Sequence, residues 1–446
     1  MKKMRQISVL IASGALLVSG CAFAEEVQEN PAGGVVVEEN ESSVTGYTAT
    51  FTYYNDTAEK VELKGAFQFH VEGDEKVYAN GYNLSEGEDV SDYYVNPQDW
   101  TGDKNLVHAG DEGYVAEMVK DSETGAWTYS LDLPGGYYLY QYNVYSDEKT
   151  FESIPDPENL CSYNAIGANQ FRSQFYVPYD AEKQPEYYDW SWCLPIEDES
   201  KAGTVEAIQY PGKDGAMMDA LVYLPNGYDP EREEGYKILY LSHGYTGDQA
   251  DWFYQGHAVN IVDRLIAEGK SEPFIMVAMN NTVFQSDYSY WIDWDFPAVV
   301  ENAKTYLFPY IEENYNLSSD VKDRAFAGLS DGGTTTAQLY IDDPERFGYF
   351  GIFSCAAAYD WPELEDYSAY KKPNVFLSAG FSDFGLISAE CYHTEEDVTI
   401  IGMSEKLDEQ GITYNNGEGI YIVPSAHDWF NWPEVLKKYV TDVLWK

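Results

Sequence analysis

Gly328-Leu329-Ser330-Asp331-Gly332-Gly333 stands between the apolar run Arg324-Ala325-Phe326-Ala327 and a segment from Thr334 to Ile341 with helical character. A G-x-S-x-G sequence between a short buried strand and a helix describes a sharp turn. Its glycines tolerate strained backbone and close approach, so the serine hydroxyl is pushed out at the end of a sheet. The pattern is short and also matches ordinary Gly/Ser turns. Its meaning depends on whether an acid and a base follow at later strand ends.

Both do. Asn374-Val375-Phe376-Leu377-Ser378-Ala379 reads as a strand and empties into Gly380-Phe381-Ser382-Asp383. Gly419-Ile420-Tyr421-Ile422-Val423 reads as another and empties into Pro424-Ser425-Ala426-His427-Asp428-Trp429. Ser330, Asp383 and His427 thus follow the chain order of an α/β-hydrolase triad. In that reading His427 takes the Ser330 proton and returns it to the leaving alcohol, while Asp383 fixes the imidazole tautomer and stabilises the imidazolium. Any one aspartate among 76 acidic residues is by default a solvated surface group, so Asp383 is singled out only by its place after a strand. Asp360 and Asp397 are its competitors. Of the six histidines, His70 and His108 lie in the N-terminal half and His243 and His257 precede the turn, leaving His427 as the base and His393 second.

Attack on an ester carbonyl also needs donors for the developing oxyanion. Lys237-Ile238-Leu239-Tyr240-Leu241-Ser242 reads as a buried strand, followed by His243-Gly244-Tyr245-Thr246-Gly247-Asp248. An HG turn after an early strand commonly supplies one backbone N–H and the residue after the nucleophile the other. The assignment is Tyr245 N–H with Asp331 N–H, and His243 is read as a structural histidine holding its loop.

On these residues, Gly203 to Lys446 resembles the esterase D-like α/β-hydrolases and, within them, the feruloyl and acetylxylan esterases of carbohydrate esterase family 1. The matching stretches are Val222-Tyr223-Leu224-Pro225-Asn226-Gly227-Tyr228-Asp229, Tyr240-Leu241-Ser242-His243-Gly244-Tyr245-Thr246-Gly247, Gly328-Leu329-Ser330-Asp331-Gly332-Gly333 and Ala426-His427-Asp428-Trp429. Asp331 departs from the family pattern, which often has Met or another uncharged residue beside the nucleophile; this carboxylate would either disfavour the oxyanion or point to solvent. Ser242 departs too, where an apolar residue is usual, and is read as tolerated packing variation. The resemblance implies a serine esterase, without metal or cofactor, that cleaves acyl groups from plant cell-wall polysaccharide or its oligosaccharides. Ferulate on arabinoxylan is the first expectation and acetylxylan the alternative. A siderophore esterase is a further rival, although basic residues for an anionic iron complex are sparse. From another class, a catalytically silent glycan-binding surface lipoprotein would leave the triad unexplained.

Length and charge frame this reading. A chain of 446 residues has material for two or three domains. Its 76 acidic against 27 basic residues, a net charge of −49, disfavour nucleic acid and anionic membrane surfaces as partners. Met1-Lys2-Lys3-Met4-Arg5 followed by the apolar run from Ile7 to Val18 reads as a signal peptide, too short to span a bilayer. Val18-Ser19-Gly20-Cys21 resembles a lipoprotein box, with residues 1–20 removed and Cys21 lipidated; cleavage after Ala22-Phe23-Ala24 is the alternative and would release a soluble protein. Residues 1–20 carry three basic and no acidic residues, so their removal takes the charge from −49 to −52. A lipid anchor would be the sole membrane contact, at the cell surface, and oligomeric state is left open. Residues 21–45, acidic and without a basic residue, read as a flexible tether. Cys161, Cys193, Cys355 and Cys391 allow up to two disulfides or free thiols, and no spacing among them matches a zinc site.

Residues 46–178 change to period-two alternation, with Tyr47, Ala49, Phe51 and Tyr53 on one face and Trp127, Tyr129, Leu131 and Leu133 on another. A Pro134-Gly135-Gly136 turn leads to a strand carrying Tyr138, Tyr140, Tyr142 and Val144. The spacing predicts an antiparallel β-sandwich domain before the α/β-hydrolase domain. It resembles the immunoglobulin-like, glycogen-binding-type modules that precede some of these esterases, apart from a long insert from Gly73 to Gly113. Its aromatics are read as core and interdomain face before glycan contacts. Residues 179–202 read as a linker and 203–446 as the catalytic domain. Trp252, Trp291, Trp294, Trp429 and Trp432 lie in loops around the proposed site, and Trp429 and Trp252 are the expected substrate-binding residues.

Overall fold

The computed structural model describes residues 33–110, 113–160, 172–284, 295–355, 361–387 and 399–446. The signal peptide, Cys21, Cys161, Trp291, Trp294, Asp360, Cys391, His393 and Asp397 lie outside the described residues.

The second half is built on an eight-stranded sheet. Its spatial order is Thr204–Pro211, Met217–Leu224, Phe274–Met279, Lys237–Ser242, Arg324–Leu329, Tyr349–Phe353, Asn374–Gly380 and Tyr421–Val423. The first two junctions are antiparallel and the remainder parallel. Parallel strands covered on both faces need apolar side chains on both, which explains why Phe274–Met279 is buried along its whole length. Alternation then sorts each strand between two cores. Leu239 and Leu241 pack with the helices Ala258–Ala267 and Trp432–Lys438. Ile238 and Tyr240 face the other way, toward Phe296–Asn302, Phe308–Asn314, Asp331–Asp342 and Ile400–Glu409.

The first half holds two antiparallel sheets. One runs Gly34–Glu39, Tyr47–Tyr54, Ala126–Asp132, Val119–Lys120; the other runs Phe151–Ile154, Gly136–Tyr145, Lys60–Gly65, Tyr114–Glu117, with Ser173–Val177 also on Gly136–Tyr145. They meet through aromatic rings, Phe51 lying 5.1 Å from Tyr140 and 5.3 Å from Phe175. Two strands of the insert flank the strand that leads into it in a small sheet, Tyr94–Val95, Phe69–Val71, Leu106–His108.

Two expectations need correction. The acidic tether does not extend to residue 45, because Gly34–Glu39 is a strand with Val35 opposite Phe51 and Val37 opposite Ala49. Val35 and Val37 supply the inward face while Val36 and Glu38 face out, so the glutamates mark a solvated strand and not disorder. Nor is the segment 179–202 a loose linker. Tyr188, Trp190 and Cys193 are buried, Tyr188 donates to Leu106 O at 2.6 Å, and Asn260 donates to Cys193 O at 2.9 Å. Its aromatic content makes it a packed strap, and one apolar core runs from Phe51 through Tyr188 to Phe430 and Leu241. Cys193 and Cys355 are buried, and Cys355 Sγ lies 3.4 Å from Thr334 Oγ1. Among the described residues no helix is long and apolar enough to cross a membrane.

Candidate active site

The strand Arg324–Leu329 ends at Ser330, whose backbone sits at φ 54°, ψ −122°, and the helix Asp331–Asp342 begins at once. A non-glycine residue at such a positive φ is strained and persists only where its surroundings impose it. Here they do. A Cβ on Gly328 would strike the Gly332 backbone, and one on Gly332 would strike Ser242 O and His243 O. The elbow therefore closes only with glycine at both places.

The catalytic candidates meet at the C-terminal edge of the sheet. His427 Nε2 lies 3.0 Å from Ser330 Oγ, and His427 Nδ1 lies 2.7 Å from Asp383 Oδ1. Asp383 is fully buried while His427 stays 15 % exposed, so the chain of bonds begins inside the protein and ends at an accessible hydroxyl. Asp383 also accepts from Gly385 N at 2.6 Å, Gly380 N at 3.3 Å and Asn431 Nδ2 at 3.3 Å. Burial pushes its carboxyl up, but the neighbouring His427 and the bonds from His427, Ser354 and Gly385 outweigh burial and hold it below the ordinary value. Asp383 is thus kept ionised. Its charge fixes the Nδ1–H tautomer and leaves Nε2 free to accept the Ser330 proton.

Other residues hold this arrangement and were not legible from spacing. Asn431 bridges Asp383 to Ser354 Oγ at 3.1 Å, and Trp432 Nε1 donates to the same oxygen at 3.0 Å. Asp428 Oδ1 accepts from Phe430 N and Asn431 N at 3.0 and 3.1 Å, curling the loop after His427. Phe384 stacks on the His427 ring at 4.0 Å and Trp432 meets its edge at 5.1 Å. For Phe384, Asp428, Asn431 and Trp432 the sequence cue was a place within a few residues of Asp383 or His427; Ser354 had none.

The HG turn lies directly on Ser330. A Cβ on Gly244 would approach Ser330 Cβ to 3.1 Å and Leu329 Cδ1 to 2.8 Å, which sets Tyr245 just beyond the elbow. Asp331 opens the following helix, where the first N–H groups have no intrahelical acceptor. His243 donates from Nδ1 to Gly244 O at 2.8 Å and accepts at Nε2 from Asn281 N at 2.9 Å. Burial lowers its pKa to about 4, so it is a neutral strut. Ser242 is more than a packing variant, since its Oγ accepts from Asn281 Nδ2 at 2.9 Å. The Asp331 side chain does not point to solvent. It is 7 % exposed, its Oδ2 has no hydrogen-bond partner, and burial raises its pKa to about 7 despite the opposing pull of His427.

The two tryptophans separate. Trp252 is 1 % exposed and donates from Nε1 to Ser242 O at 2.9 Å, so it is a core brace and not a substrate contact. Trp429 packs edge-on against Trp252 and Trp432, at 5.8 and 4.9 Å, and is also largely buried. Among the described residues no cluster of three or more His, Cys, Asp or Glu side chains could hold a metal ion.

A mostly parallel sheet with a serine elbow, followed by an acid and a histidine at later strand ends, defines an α/β-hydrolase-like domain. The chain belongs to the Esterase family ("Putative esterase"), whose model matches residues 215–441. It is 28% identical over 341 residues to an endo-1,4-beta-xylanase/feruloyl esterase of Xylanibacter ruminicola, an alignment that takes in 75% of this chain and 42% of that protein. The chain thus spans about two fifths of that relative's length. Among solved structures, a CE1 ferulic acid esterase from Anaeromyces mucronatus aligns at TM-score 0.46 and 17% identity, over 58% of this chain and 95% of that one. The enterobactin esterase of Shigella flexneri aligns at TM-score 0.52 and 15% identity, over 93% of this chain and 96% of that one. That last likeness is one of fold and extends through the N-terminal half.

Proposed function

We propose that the protein is a serine esterase that releases ferulate from arabinoxylan or its oligosaccharides. The observation that carries the mechanism is the continuous series Ser330 Oγ, His427, Asp383 at 3.0 and 2.7 Å. His427 Nε2 takes the Ser330 proton as Oγ attacks the ester carbonyl, and the Tyr245 and Asp331 N–H groups receive the oxyanion. The tetrahedral intermediate collapses as His427 protonates the departing sugar hydroxyl. Water, deprotonated by His427, then attacks the acyl-Ser330 ester and restores the serine.

The substrate reading is supported by the relationship to the xylanase/feruloyl esterase, and Trp429 is the aromatic residue proposed to border the acyl site. The two N-terminal sheets are proposed to be an immunoglobulin-like module, and Cys21 a lipid anchor that holds the enzyme outside the cell. Release of ferulate from methyl ferulate and of acetate from acetylated xylan, with Ser330→Ala in parallel, tests the proposal. Ferulate release that vanishes in Ser330→Ala supports it. Acetate release alone assigns the acetylxylan alternative, and activity that survives Ser330→Ala removes Ser330 as the nucleophile.

A further inference from the structure

The insert of the N-terminal half reaches across to the two loops that carry Asp383 and His427. His70 lies on the strand Phe69–Val71, is fully buried, and has its Nε2 3.0 Å from Ser382 Oγ. Its Nδ1 lies 3.0 Å from Val71 O, a carbonyl that can only accept. Nδ1 therefore carries the proton, and Nε2 accepts the hydroxyl hydrogen of Ser382. Ser382 in turn joins the two catalytic loops through its N–H, which donates to Ser425 O at 3.0 Å; its Oγ lies 3.1 Å from the same carbonyl, which shares the single hydroxyl hydrogen with His70 Nε2. Ser382 is the residue before Asp383, and Ser425 stands two before His427.

Three further contacts come from the same insert. Ala79 N donates to Phe381 O at 2.9 Å, and the Tyr78 ring meets Phe381 at 5.2 Å. In the neighbouring strand of the small sheet His108, opposite Phe69, stacks on Phe430 at 3.3 Å with the rings 9° from parallel. Phe430 follows His427 by three residues. Adjacent strands of one small sheet thus touch the acid loop through His70 and the base loop through His108.

We infer that the small sheet formed by the insert and the strand leading into it is a positioning element for catalysis, with His70 acting through Ser382 to fix the spacing of Asp383 and His427. The inference rests on reading Ser330, Asp383 and His427 as the triad. A hydrogen bond of 2.7 Å between two loops from different strands tolerates little drift, and misplacement by 1 Å costs as much as 100-fold in rate. The apolar seam alone does not set that spacing, because packing holds volumes while the His70–Ser382–Ser425 bonds hold direction.

The test compares His70→Ala, His70→Gln, Ser382→Ala and the double variant His70→Ala/Ser382→Ala in the full chain, with 4-nitrophenyl acetate as a small probe ester. Fluorophosphonate end-point titration of Ser330 counts folded sites. Expected is a fall in kcat per site of about tenfold for each alanine variant with KM within about twofold, as for loss of alignment and not of binding. The double variant falls no further than the worse single one, since both delete the same bond. His70→Gln, which keeps an acceptor, recovers most of the loss. A lowered melting temperature with unchanged kcat per site overturns the inference, and so do losses that multiply in the double variant. Ser330→Ala run alongside separates the two readings: if it stays active the triad is wrong, whereas an inactive Ser330→Ala beside a fully active His70→Ala removes only the positioning role.

Discussion

Each half of the molecule buries a hydrogen-bonded aspartate, and the two are finished differently. In the N-terminal half Asp156 Oδ2 accepts from Tyr140 at 2.7 Å and Tyr142 at 3.1 Å, while Oδ1 accepts from Glu158 N at 3.0 Å. Asn159 adds a donor to the Tyr140 hydroxyl, and every bond in the set returns to the protein. Around Asp383 the bonds are as numerous, but one of them runs out through His427 to Ser330, which is half-buried and reachable. A closed network holds sheets together. An open-ended one can pass a proton to a substrate.

That contrast predicts a split between activity and stability. Ser330→Ala or Asp383→Asn should lower kcat by about 10⁴-fold or more with the protein still folded, measured by initial rates against fluorophosphonate-insensitive background. Asp156→Ala should do the opposite. It removes the acceptor of two buried tyrosine O–H donors, so chemical denaturation should show a loss of about 3 kcal/mol while kcat per folded molecule holds.

Asp331 sharpens the comparison, being a buried carboxyl that belongs to neither network. Its pKa rises from 3.8 unfolded to about 7 folded, so the folded state binds its proton more tightly. Stability from this group is complete below about pH 4 and is lost as pH climbs through 7. Asp331→Asn should therefore stabilise the protein at pH 8, on the order of 2 kcal/mol, and make no difference near pH 4. Denaturation midpoints at the two pH values check the sign; an equal effect at both would show that folding does not raise the Asp331 pKa. Smallest is Trp252→Phe, expected to cost about 1 kcal/mol through the lost bond to Ser242 O and to leave KM unchanged. A large KM change would return Trp252 to the substrate site.

The α/β-hydrolase half was legible because its signals are local. Gly328 and Gly332 flank the serine in sequence, and Asp383 and His427 each follow an apolar run, Val375 to Leu377 and Ile420 to Val423, so strand ends could be found from the sequence. Residues whose roles arise from tertiary proximity left no such trace. Ser354 supports Asp383 and Trp432 from a strand end whose sequence says nothing of either, and Asn431 looked like any polar loop residue. Charge misled at Gly34–Glu39, where glutamates hid an alternating valine strand. Trp252 misled by its loop position, since its nitrogen was needed by a backbone carbonyl inside the core.

The packed strap between the halves bears on how such a chain can be inherited. Beads joined by slack string can be exchanged one at a time during evolution, each bringing a finished surface. Here Tyr188, Trp190 and Cys193 sink into ground shared with Phe430 and His108, and none of these five is more than 5 % exposed. A hydrolase excised at residue 203 would arrive in a new host with that apolar ground laid bare, an invitation to aggregate. Recombination that preserves the enzyme must therefore carry both halves and the strap together as one heritable unit.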